Sequence, residues 1–181
     1  MKKNVFIFGG LAGLIISTFM VCSIALCYHK EQYEGSMVIG YAAMLISFSF
    51  IFVGIRNYRN KYNGGVISFG KAFTIGLYIS LIASTIYVLA WLVDYYMFIP
   101  DYMDKYAEHA IKQAQQKGVS AAEMSKTVEQ MNGYKEAYKS PILVILFTYL
   151  EILPVGLVVS LISALLLKKK NKPHETFLSN A

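Results

Sequence analysis

ILVILFTYLEILPVGLVVSLISALLL, residues 142–167, is a run of twenty-six residues with a single charged member, Glu151. At 1.5 Å of rise per residue, about 20 residues cover a hydrocarbon layer about 30 Å thick, so this run crosses a bilayer as one helix. A strand is excluded, because in lipid every backbone amide must be bonded within its own segment. Working outward, residues 5–28, 37–55 and 72–98 have the same character. The second run is the shortest, and the third and fourth are long enough to tilt or kink. The expected fold is an all-α membrane protein, a single domain of four transmembrane helices in an up-and-down bundle.

The composition agrees. Of 181 residues, 56% are apolar and 15% charged, against about 45–50% and about 25% in soluble domains. These values argue against disorder, a disulfide scaffold and an ordinary soluble enzyme. Cys22 and Cys27 lie in the first run, about 140° apart on a helix, so they cannot pair and read as small buried hydrophobes. Met1-Lys2-Lys3 before that run imitates a signal peptide. The apolar stretch exceeds the usual h-region of about 7–15 residues, so it reads as an uncleaved anchor.

Threading follows from lysine and arginine, which concentrate in cytoplasmic loops. Ten basic residues lie on one side of the four runs: Lys2 and Lys3; Arg56, Arg59, Lys61 and Lys71; and Lys168, Lys169, Lys170 and Lys172 in a basic tail over 168–181. One acid, Glu175, accompanies them. The other side carries Lys30, Glu31, Glu34 and a loop over about 100–140 with six lysines and six acids. Both termini are therefore expected in the cytoplasm and the long loop outside. The net charge of +6 then reflects topology and attraction to anionic lipid headgroups, not nucleic-acid binding. Tyr28, Trp91, Tyr95 and Tyr96 at one side, and Tyr58 and Tyr62 at the other, fit aromatic belts.

The outer loop is expected to fold as a short helical hairpin. Met103, Tyr106, Ala110 and Ala114 recur at helical spacing, with Asp101/Lys105 and Glu108/Lys112 as acid-to-base pairs four apart. A helix over 101–117 ends at Gly118; Ser120 and Glu123 form a capping box for a second helix that stops near Asn132-Gly133. Pro100 and Pro141 mark the junctions with the membrane.

Glu151 lies roughly 13 Å into its helix, near mid-depth. A carboxylate there costs at least about 2.5–3.5 kcal/mol, so it is expected to be protonated, hydrogen-bonded or turned to a polar interior. Pro154 lacks an amide hydrogen and frees the Leu150 carbonyl beside it. Equal depth in the other runs points to Ser17 or Thr18, Ser47 and Ser84 or Tyr87 as neighbours. Asp94 reads as an interfacial residue bonded to a tyrosine or to Lys139.

Small residues recur one turn apart in each run: Gly9, Gly13 and Ser17; Ala43 and Ser47; Gly76, Ser80 and Ser84; Gly156, Ser160 and Ala164. They let backbones approach, either within the bundle or towards a second copy or another membrane protein.

Residues 65–71, GVISFGK, satisfy the G-x-x-x-x-G-K core of a phosphate loop. Ala72 stands where the Mg²⁺-binding hydroxyl belongs and no strand precedes, so nucleotide hydrolysis is rejected. What remains is a helix N-terminus beside Lys71, with Gly70, Arg56 and Arg59 as candidate contacts to a lipid phosphate. His29, His109 and His174 lie in separate segments without metal-ligand spacing. No catalytic constellation, metal site or cofactor motif is present, and an enzyme is not expected.

The stretch RNYRNKYNGGVISFGKAFTIGLYISLIASTIYV, residues 56–88, resembles the signature of a family of four-span bacterial inner-membrane proteins known as a domain of unknown function. The resemblance extends to Ile99-Pro100-Asp101, to EILPVGL from Glu151 and to the closing lysine run. It implies a multi-pass protein of the bacterial cytoplasmic membrane and singles out Phe69, Gly70, Lys71, Glu151 and Pro154; it implies no activity. The residues themselves lead to a non-enzymatic assembly or accessory protein that packs through small-residue faces. The alternative is a small permease or ion- or proton-conducting protein using Glu151. A polar passage converging on Glu151 separates the second from the first.

Overall fold

Seven helical elements account for nearly all of the chain that the computed structural model describes, residues 1–30 and 37–169. Four are long and apolar: α1 (Lys2–Lys30), α2 (Met37–Tyr62), α3 (Phe69–Val93) and α6 (Pro141–Leu167). They alternate in direction and form the up-and-down membrane bundle. α3 packs against α1 and α6, α2 packs against the same two, and α2 meets α3 across the middle. The shorter α4 (Tyr102–Gln116) and α5 (Ala121–Tyr138) form a hairpin inserted between α3 and α6. The end carrying this hairpin is called here the cap end, and the opposite one the basic end.

The distribution of side chains is that of a bundle solvated by lipid. Leu14, Val38, Ile46, Leu150 and Leu166 are more than half exposed, while Ser47, Ser80, Ser84, Thr148 and Ser160 are buried. In water such a girdle of exposed apolar residues would associate; in hydrocarbon it is the stable arrangement. Hydroxyls turn inward because only the interior supplies partners.

The small-residue stripes serve internal contacts. A Cβ at Gly76 would stand 2.9 Å from Ser160 Cβ, and one at Gly156 would stand 2.9 Å from Ser80 Cβ. The Gly-x-x-x-Ser of α3 thus faces that of α6 reciprocally. Ser80 Oγ lies 2.9 Å from Ser160 Oγ, and Ser160 also donates to the Gly156 carbonyl at 2.7 Å. Gly9 and Gly13 of α1 meet Ile82 and Ile86 of α3 as closely, and Gly54 of α2 meets Ile79.

Two helices run past the end expected from the sequence, each for a packing reason. α2 runs seven residues beyond Ile55, because Ile51, Ile55 and Tyr58 continue one buried face. Arg56, Arg59 and Lys61 therefore sit on its last turns and not in a loop. α5 continues through Gly133 to Tyr138, drawn on by buried Met131 and by Tyr138 against Tyr95 at 5.3 Å. The third run closes in a π-helical turn, Asp94–Phe98, with Ile99 N donating to Asp94 O at 3.0 Å.

Other details agree with the expectation. Gly118 has φ +63° after α4, and the Ser120/Glu123 capping box forms. Asp101 and Lys105 pair at 3.0 Å, whereas no ion pair joins Glu108 to Lys112 among the described residues. Trp91 and Tyr95 are buried and so form no belt; Tyr96 and Tyr62 are exposed. The tail beyond Lys169, with His174, and Glu31 and Glu34 lie outside the described residues.

Candidate functional site

At the basic end the helix N-terminus of α3 is already capped. The Ser68 hydroxyl accepts from the Lys71 amide at 3.4 Å. Lys71 Nζ donates to Asn63 Oδ1 at 3.0 Å and lies 5.3 Å over the Tyr58 ring. Arg59 donates to the Leu167 carbonyl at 3.2 Å, and Ile67 and Lys169 exchange backbone bonds of 3.0 and 2.9 Å. Two of the four lipid-phosphate candidates thus tie α2 and its loop to α3 and α6. Arg56 is exposed, and a side chain at Gly70 would meet nothing within 4 Å.

The cap end is different. A cavity of about 610 Å³ lies under the hairpin. Its walls are Met20 and Ile24 of α1, Tyr87 and Trp91 of α3, and Phe147, Thr148 and Glu151 of α6. Its roof is Tyr102, Met103 and Tyr106 of α4 with Tyr134 and Tyr138 of α5. The π-helical turn contributes from behind: it carries buried Tyr95, which touches Trp91 at 5.7 Å and Tyr138 at 5.3 Å. Wide turns of this type recur where a helix must re-aim side chains at a site.

The roof is anchored to α1 by a three-residue contact. The Tyr28 hydroxyl donates to Asp101 Oδ1 at 2.7 Å, and Lys105 Nζ stands 3.9 Å over the Tyr28 ring while pairing with Asp101. The Tyr28 hydroxyl, and then Lys105, hold the Asp101 carboxyl below the usual carboxylate range. Lys135 of α5 pairs with Asp104 of α4, closing the hairpin on itself. Tyr138 is pushed up to about 12, first by burial and then by the charge of Glu151.

Glu151 is the acid of this cavity. No hydrogen bond or ion pair engages its carboxylate among the described residues, so the expected bond to a carbonyl or hydroxyl is not made. Pro154 lies within α6, which continues through it, and its side chain is exposed. Of the expected neighbours, Tyr87 shares the cavity; Ser17, Ser47 and Ser84 are buried and do not line it. Asp94 is half-buried, its Oδ2 without a partner, and Lys139 pairs with Glu136 instead of reaching it. Among the described residues, no group of three or more metal-ligating side chains converges.

The aromatic lining went unread in the sequence although its signal was there. Tyr87 and Trp91, then Tyr102 and Tyr106, then Tyr134 and Tyr138 are each spaced by four, with Tyr95 four further on behind the first pair, which puts an aromatic stripe on one face of three successive helices.

Beyond the geometry, a family model described as "Protein of unknown function (DUF4199)" matches residues 7–169. No curated protein and no solved structure matches the chain.

Proposed function

This chain belongs to the DUF4199 family, whose description assigns no activity, and we propose from the cavity that it is a small-molecule-binding membrane protein without catalytic chemistry. The observation that carries the reading is the carboxylate of Glu151, unpartnered on the wall of a cavity lined by Tyr87, Trp91 and Thr148. An uncompensated acid in a membrane helix is costly and is retained where it meets a ligand, an ion or water. Concave, largely apolar pockets with few polar groups are the usual form of ligand sites. Towards the basic end the core closes over fully buried Phe48, Ile51, Ile75 and Ile79, so the cavity is a cup and not a through-passage. A permease would use the same cup as its loading site.

The rival reading, an assembly or accessory protein, needs small-residue faces left over. Those of α1, α3 and α6 are engaged within the bundle, which is why the cavity reading is preferred. Both termini are proposed to lie in the cytoplasm, with exposed Lys2, Lys3 and Arg56 near anionic headgroups.

The test compares two neighbouring positions of α6 in a chain lacking Cys22 and Cys27, reconstituted in nanodiscs. Glu151→Cys, on the cavity wall, should react with a water-soluble methanethiosulfonate reagent; Leu150→Cys, 61% exposed on the outer surface, should not. Equal protection of both would mean that no water reaches the cup, and the reading would fall.

A further inference from the structure

The lining of the cup selects a ligand by charge. Seven aromatic side chains and one carboxylate meet there, with no lysine, arginine or histidine among the lining residues. Aromatic faces carry negative potential and attract cations. Trp91 meets Tyr102 edge-on at 5.5 Å with the planes at 84°, and Tyr102 stacks near Tyr106 at 6.2 Å, so the rings present faces in more than one direction, as the walls of a cage do. An anion entering would find Glu151 and no positive partner. A neutral apolar body would cover the rings but leave the carboxylate unpaired in a medium of low dielectric. A bare metal ion needs several oxygen ligands, and one carboxylate offers too few. A cation with an organic shell satisfies the rings and the acid together, and 610 Å³ leaves room for a body larger than an inorganic ion.

We propose that the cup binds a monovalent organic cation, an amine or quaternary ammonium group, with Glu151 as counter-ion and Trp91, Tyr102 and Tyr106 supplying ring faces. The inference rests on the reading of the cup as a ligand site. The cation belongs either to a free amine or to the headgroup of a zwitterionic lipid, which share this chemistry.

Trp91 is the sole tryptophan of the chain, so its emission reports the cup directly. The full chain in phosphatidylglycerol nanodiscs is titrated with phenyltrimethylammonium and with its neutral isostere tert-butylbenzene, following Trp91 emission and binding heat. The cation should bind saturably and about tenfold or more tightly than the isostere, and Glu151→Gln should remove that preference without weakening the isostere. Tyr106→Phe should retain cation affinity, and Tyr106→Leu should lower it about fivefold. Adding phosphatidylcholine to the nanodiscs distinguishes the sources: competition supports a lipid headgroup, no competition supports a free amine, and the cation class stands in both. Equal binding of cation and isostere, unaltered by Glu151→Gln, would overturn the cation and leave the ligand site. If neither probe changes emission or gives heat, the ligand site falls as well.

Discussion

A methyl group added at Gly76 meets Ser160 Cβ at 2.9 Å and Ile51 Cγ2 at 3.2 Å, with no flexible side-chain end able to yield. Gly76→Ala, or its mirror Gly156→Ala, should therefore destabilise the bundle by about 1–3 kcal/mol, the usual cost of overpacking. Gly10→Ala, with nothing within 4 Å, should be neutral or gain up to about 1 kcal/mol from helix propensity. Thermal unfolding of the purified variants in mild detergent checks the contrast. At this scale the sequence was informative about residue type and depth but not direction. Glu151 stood out as the lone acid of its run, and Tyr87 could be placed at its level by counting. That Glu151 looks into a cup and Leu150 outward depends on rotation about the helix axis, which a nearly uniformly apolar helix does not record.

Elements fared better where local chemistry decides and worse where tertiary packing does. The Ser120/Glu123 box and Gly118 were legible because a cap is written in three or four consecutive residues. The ends of α2 and α5 were not, because partners distant in sequence extend them: Tyr58 buries its face in the bundle, and Tyr138 meets Tyr95. The anchoring of α4 to α1 predicts a pH dependence. Asp101 is depressed in the folded chain by Tyr28 and Lys105, so its contribution is complete above the ordinary aspartate value of about 3.9 and is lost as the pH falls through the lower folded value. Protection of the α4 amides, taken relative to the intrinsic exchange rate at each pH, should accordingly fall on acidification below about pH 4, while the buried core of α3 stays protected. Asp101→Asn should already show faster exchange in α4 at neutral pH. Unchanged exchange in that variant would remove the anchor from the account.

For the whole molecule, length and charge were sufficient for the bundle and the alternation of its helices. They were silent on the cup, because seven aromatic residues of four helices had to be brought together by a hairpin whose docking no local rule dictates. The proposed orientation makes a direct prediction. In intact cells of an expressing bacterium, Ser125→Cys on exposed α5 should react with a membrane-impermeant maleimide. Asn60→Cys at the exposed basic end should react only after permeabilisation; the reverse pattern would invert the threading.

The reciprocal contact of Gly76 and Ser80 with Gly156 and Ser160 has a mechanical consequence. It rivets α3 to α6, and the Ile67–Lys169 pairing clamps the same two rods again beyond the rivet. A third tie, Thr85 Oγ1 to the Tyr149 hydroxyl at 2.8 Å, lies nearer Trp91 and Glu151, so the two rods are braced up to the cup and a guest has to fit the width they set.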